Sequence, residues 1–213
     1  MGKDLTRLVF ILDRSGSMSG LERETIQGYN GMLKKQKDKP GKAFITTVLF
    51  DDKYELLHDC IDLQDIKPIT ENEYFVRGST ALLDSVGRTI KSIAHMCSTE
   101  NEHVMFVIIT DRMENASTEY DYKKVNDLIS HQKELYNWEF IFLGANIDAA
   151  AVGKRFGIAK ERVANFNADH EGTMLNYEVI NAAVSRFREF GSVKQDWRAR
   201  IDEDFEKRGN KKV

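Results

Sequence analysis

The apolar residues Leu8, Val9, Phe10, Ile11 and Leu12 are contiguous. A run this short with no polar alternation predicts a strand over 7–12 that is buried on both faces, as in a parallel sheet. The run stops at Asp13-Arg14-Ser15-Gly16-Ser17, which is loop chemistry. Over 22–37 the spacing of Ile26, Tyr29 and Leu33 predicts a helix. Pro40-Gly41 reads as a turn, 43–50 as a second buried strand, and Asp51-Asp52-Lys53 as a tight turn into an antiparallel edge strand over 54–58. Residues 61–74 are weakly patterned and predict at most a short helical turn. After the loop Arg77-Gly78-Ser79-Thr80, the positions Leu83, Val86, Ile90, Ile93 and Cys97 line one face of a helix. The most apolar run of the chain, 104–109, predicts a central strand ending at Thr110-Asp111. Tyr122, Val125, Leu128, Ile129 and Leu135 mark the next helix. A strand over 140–143 closed by Gly144, a helix over 149–156, a short strand over 162–166 and an amphipathic helix over 174–190 complete the series.

Strands thus alternate with helices almost throughout, which predicts an α/β fold: a mostly parallel central sheet with helices on both faces. Beyond Gly191 charge becomes dense, and Trp197, Ile201 and Phe205, four residues apart, predict a terminal helix before a frayed basic end. The expected division is one domain over 1–190 with a charged helical extension over 191–213.

Composition narrows the class of function. Apolar residues make up 41% and charged residues 31% of the 213, an ordinary globular balance that argues against a disordered chain. The net charge of −3 offers no bulk basic field for nucleic acid or anionic lipid, and no apolar run reaches membrane-spanning length. Cys60 and Cys97 have no ligand-like spacing and read as reduced thiols. No apolar segment of signal-peptide type follows Met1. Gly2 and Thr6 meet the loose myristoylation pattern, set against a plain soluble N-terminus. These points favour a cytoplasmic protein, monomeric on its own.

In open α/β sheets ligands sit where loops leave the carboxyl ends of strands. Three such loops carry oxygen donors here: Asp13, Ser15 and Ser17 after the first strand, Thr80 before the long helix, and Asp111 after the central strand. With no Cys or His among them, the set suits Mg²⁺, Mn²⁺ or Ca²⁺ rather than Zn²⁺. Two carboxylates roughly neutralise a divalent ion and three hydroxyls add coordination without charge, which leaves the ion attractive to one further anionic oxygen. Alternate residues of Asp13-x-Ser15-x-Ser17 can point to one side of an extended loop, and Gly16 allows the backbone to turn closely around a small ion.

Together Asp13-Arg14-Ser15-Gly16-Ser17-Met18, Gly78-Ser79-Thr80-Ala81-Leu82 and Ile109-Thr110-Asp111 resemble the metal-ion-dependent adhesion site (MIDAS) of von Willebrand factor type A domains. The resemblance covers about residues 5–190 and is of an intracellular bacterial or phage type. It implies a three-layer, Rossmann-like, doubly wound sheet with one antiparallel edge strand. It also implies a Mg²⁺-type ion held by Ser15, Ser17 and Thr80, with Asp13 and Asp111 acting directly or through water. In such domains the open position takes an Asp or Glu from a partner protein. Arg112 departs from the pattern, which has a small residue there. It is either a solvent-facing loop residue or, with Arg14 and Ser79, part of a partner-binding rim, where it repels the ion or clamps the incoming carboxylate.

Other polar positions have plainer readings. His58, His95, His103, His131 and His170 are scattered and read as surface or structural. Gly144-Ala145-Asn146 is a turn or a second rim loop. Glu114-Asn115 caps the following helix or holds water near the metal. As to function class, a metal-dependent protein-binding module is expected, not an enzyme. The alternative, a metal-assisted phosphoesterase-like hydrolase, lacks a nucleophile, and no His or Lys stands in the three loops. A dinucleotide binder would need a Gly-rich first turn that is missing.

Overall fold

A computed structural model describes residues 5–96 and 102–209. Cys97, read above as part of a helix face, and the last basic residues of the chain lie outside the described residues. The first apolar run forms β1 (Leu5–Asp13) and pairs in parallel with β2 (Lys42–Phe50) on one side and β4 (Glu102–Thr110) on the other. With β3 (Tyr54–Asp62), β5 (Glu139–Gly144) and β6 (Val163–Asn165) the sheet has six strands in the order β3-β2-β1-β4-β5-β6. Only β3 runs antiparallel, at one edge. The fold is the expected mostly parallel α/β sheet with an antiparallel edge strand.

Six helices cover it: α1 (Glu22–Lys37), α2 (Leu82–Met96), α3 (Tyr122–Tyr136), α4 (Ala149–Arg155), α5 (His170–Phe190) and α6 (Ala199–Arg208). The unbroken apolar strands feed two cores because side chains alternate across a pleated strand. Leu8, Phe10 and Leu12 of β1, with Met105, Val107 and Ile109 of β4, pack under α1, α5 and α6. Val9, Ile11, Val104, Phe106 and Ile108 pack under α2, α3 and α4. Glycines permit the closest approaches: a Cβ on Gly28 of α1 would lie 2.2 Å from the Tyr177 ring of α5.

Local departures from the sequence expectations have identifiable causes. The edge strand runs on to Asp62 instead of stopping at His58. Extra residues are absorbed as bulges against Ile45–Val48, with Cys60 at φ 53°, so polar Asp59 and Cys60 interrupt the alternation without ending the strand. The weakly patterned 61–74 stretch is mostly irregular chain, yet it buries Leu63, Ile66, Ile69 and Tyr74 in the α1–α5 core. In α3 Leu135 is exposed and Gln132 takes the buried position. Helix α5 begins one turn before residue 174 because the Asp169 carboxylate accepts from Gly172 N–H and caps it. Beyond the αL turn at Gly191, α6 lies against α5. Ile201 joins the core and the Arg208 guanidinium pairs with Asp169 and Asp204. Among the described residues no helix is long and apolar enough to cross a membrane.

Candidate metal-binding site

The strand order reverses between β1 and β4, and in an open sheet this is where the loops diverge and leave a crevice. Leu12 stands opposite Ile109, so Asp13, the last residue of β1, lies beside Thr110 at the end of β4. The Thr110 hydroxyl donates to Asp13 Oδ2 at 2.5 Å, and Ser15 N–H donates to Asp13 Oδ1 at 2.7 Å. The chain then makes a single 3₁₀ turn over Gly16–Met18. This turn sets the Ser15 and Ser17 hydroxyls 3.0 Å apart and lets Ser17 donate to Asp111 Oδ1 at 2.5 Å. Four of the five expected ligands therefore form one chain of contacts.

Thr80 reaches the same sheet edge on the loop entering α2. Gly16 N–H donates to Gly78 C=O, and Asn115 brackets Thr80 on both sides of its peptide unit: Asn115 Oδ1 accepts from Thr80 N–H at 2.9 Å and Asn115 N–H donates to Thr80 C=O at 3.1 Å. Gly78 needs its φ of 65° here, and a Cβ would strike Asp52 Oδ1. The Thr80 hydroxyl itself is buried and has no hydrogen-bond partner among the described residues.

Electrostatically the site is anionic and poorly solvated. Burial pushes the Asp13 carboxyl up to about 6, with its hydrogen bonds from Thr110 and Ser15 acting the other way. Burial also raises Asp111, offset in part by the Ser17 hydroxyl and by the charge of Arg112. Two carboxylates that burial disfavours as anions, together with a buried hydroxyl lacking a partner, are the environment in which a hard divalent cation gains most from binding. Among the described residues no group of three or more His, Cys, Asp or Glu side chains is arranged to hold a metal ion, so a cation at this crevice would depend on two carboxylates and three hydroxyls. That composition fits Mg²⁺ or Mn²⁺, with Ser15, Ser17 and Thr80 as neutral donors.

The rim differs from expectation. Ser79 and Arg112 are exposed, as rim residues must be. Arg14 is not on the rim. Its side chain is fully buried, with Nε donating to Asp51 Oδ2 at 2.9 Å, Nη2 to Glu55 Oε2 at 2.6 Å and Nη1 to Glu73 C=O. Neighbouring side chains in an extended loop point to opposite sides, so a loop that turns Asp13 and Ser15 toward the crevice turns Arg14 into the protein. Glu114 and Asn115 do not cap the helix that follows them. Glu114 accepts from Leu83 N–H and so caps the preceding α2, while Asp121 caps α3.

Several residues at the site were not singled out by sequence. Tyr74 donates its hydroxyl to Asp13 C=O at 2.5 Å, and Asp51 is wholly buried. A positional signal existed for Asp51: it follows β2 at its carboxyl end, as Asp111 follows β4.

No family model and no curated protein matches the sequence. Among solved structures, manganese-loaded Plasmodium vivax TRAP protein is similar at 15% identity and TM-score 0.61, covering 82% of this chain and 72% of that one. Proximal thread matrix protein 1 from the mussel byssus matches at 12% identity and TM-score 0.59, over 85% of this chain and 46% of its own. A von Willebrand factor type A protein from Catenulispora acidiphila matches at 11% identity and TM-score 0.60, over 85% and 43%. The chain thus spans less than half the length of the latter two. At these identities the likeness concerns architecture, and on it this chain has the von Willebrand factor type A fold.

Proposed function

We propose that this protein is a metal-dependent protein-binding module: Asp13, Ser15, Ser17, Thr80 and Asp111 hold a Mg²⁺ or Mn²⁺ ion, and an Asp or Glu of a partner protein completes its coordination. The observation that carries the reading is the buried, unpartnered Thr80 hydroxyl on a loop tied to the two carboxylate loops. A buried hydroxyl without a partner costs about 1–3 kcal/mol, and a cation ligated there would remove that cost. The similarity to a manganese-loaded structure points the same way. Arg112, exposed beside Asp111 and close enough to favour its ionised form, would add attraction for an incoming carboxylate.

The reading is of binding and not of hydrolysis. Both carboxylates belong to the ion, and the three loops offer no His or Lys as base. Thermal unfolding with Mg²⁺ and with EDTA tests it. Wild type should melt higher in Mg²⁺, since a ligand bound only to the folded state stabilises by mass action. Thr80→Val should melt as high as wild type or higher in EDTA, yet gain far less from Mg²⁺, and neither protein should release phosphate from an ester. Identical curves for wild type in Mg²⁺ and EDTA would remove the cation from the account.

A further inference from the structure

Behind the five donors lies a second polar cluster that supplies no ligand. Asp51, wholly buried, accepts through one oxygen, Oδ2, from Arg14 Nε at 2.9 Å and from Arg77 Nε at 2.7 Å. Its other oxygen accepts from Lys53 N–H, and its backbone C=O accepts from Ala81 N–H at 2.8 Å. Arg77 N–H donates to Arg14 C=O at 2.9 Å, and Arg14 N–H donates to Phe50 C=O. Phe75 lies against both guanidinium groups, 5.2 Å from each.

The positions of these residues in the chain are informative. Arg14 stands between the donors Asp13 and Ser15, Arg77 leads into the loop of Thr80, and Ala81 follows Thr80 directly. One carboxylate thus ties the Ser15–Ser17 loop to the Thr80 loop from the side away from the donors. A buried ion pair contributes little net stability over an apolar replacement, so stability alone does not account for a charged cluster here. Geometric definition does, because cation sites of this kind need their donors held within a fraction of an ångström.

We propose that Arg14, Asp51 and Arg77 form a positioning clasp that sets the affinity of the site for a divalent cation by fixing the separation of the Ser15–Ser17 loop from the Thr80 loop. This rests on the reading of those hydroxyls as cation donors. Arg77 is the residue through which to test it. Its side chain is partly exposed, so its loss is tolerable, whereas Arg14 is fully buried. Removing a positive charge near a cation site would, through relief of Coulomb repulsion alone, tighten cation binding. A positioning role makes the opposite prediction.

The experiment measures free Mn²⁺ by electron paramagnetic resonance in titrations of the full chain. Arg77→Ala should weaken Mn²⁺ binding by about tenfold or more, and Arg77→Lys, which keeps a donor and the charge, should restore most of it. In EDTA the amide resonances of Ser15 and Thr80 should move in Arg77→Ala while the protein stays folded. Should Arg77→Ala not fold, Arg77→Gln carries the same expectation. Mn²⁺ binding as tight as wild type or tighter in the folded variant overturns the proposal while leaving the cation site intact. Failure of wild type itself to bind Mn²⁺ overturns the cation reading, and the clasp's role with it.

Discussion

Asp13 shows how a single carboxyl can be both the anchor of a site and a burden on the fold. Its folded value of about 6 stands above the ordinary 3.8 because burial penalises the anion. A raised carboxyl favours the folded state fully only below the unfolded value, and its contribution falls as pH climbs through the window from about 4 to about 6. Other carboxylates titrate in the opposite sense; Asp84, for example, is held low by the backbone N–H groups of Thr118, Glu119 and Tyr120 despite its burial. The contribution of Asp13 is therefore read as a difference between variants. In EDTA, Asp13→Asn should be more stable than wild type at pH 7 by on the order of 2 kcal/mol, the difference vanishing toward pH 4. Its amide can donate to Thr110 Oγ1, which is already within 3.1 Å of Arg112 C=O as an alternative acceptor. Mg²⁺ at pH 7 should reverse the order, because an anionic carboxylate would hold the ion far more tightly than a neutral amide oxygen. Urea denaturation at the two pH values, with and without Mg²⁺, checks both signs, and a wild type that is the more stable form in EDTA at pH 7 would show that burial is not the controlling influence.

At the scale of elements, the part of the structure legible in sequence is the part governed by periodicity. Ile26, Tyr29 and Leu33 locate α1 to its observed ends, and the contiguous apolar runs locate β1, β2 and β4 because a doubly covered strand has no polar face. The donors at the strand ends followed from that placement. What periodicity does not encode is a partner far along the chain. Glu114 lies 31 residues from Leu83, and nothing local tells it to cap α2 in preference to α3. Arg14 was misplaced for the same reason, since its partner Asp51 is 37 residues away. The Glu114 contacts can be weighed. Oε2 accepts from Leu83 N–H and the Ser117 hydroxyl, and Oε1 from Ala116 and Ser117 N–H, so one side chain both caps α2 and shapes the loop that brackets Thr80. Glu114→Ala should cost about 1–2 kcal/mol by urea denaturation, the usual worth of a helix cap. A loss within a few tenths of a kcal/mol would mean that water replaces the carboxylate at little cost.

For the whole molecule, the β1–β4 pairing has a kinetic consequence. The contacts that assemble the site join residues 97 apart, Thr110 to Asp13, and 94 apart, Asp111 to Ser17. Local helices can form on their own, but these contacts wait for closure of a long loop, whose entropy must be met before any contact rewards it. On the proposed reading, a cation would meet its full set of donors only in a chain that has nearly completed folding, so its stabilisation would fall on the native side of the transition state. Stopped-flow denaturant series should show Mg²⁺ lowering the unfolding rate while leaving the refolding rate nearly as it is in EDTA. Faster refolding with Mg²⁺ would place the β1–β4 pairing in the nucleus instead. With refolding unchanged, the ion would be a latch on a finished structure and not a template for building one, and the lifetime of the native state, not the speed of reaching it, would be the quantity that cation concentration governs.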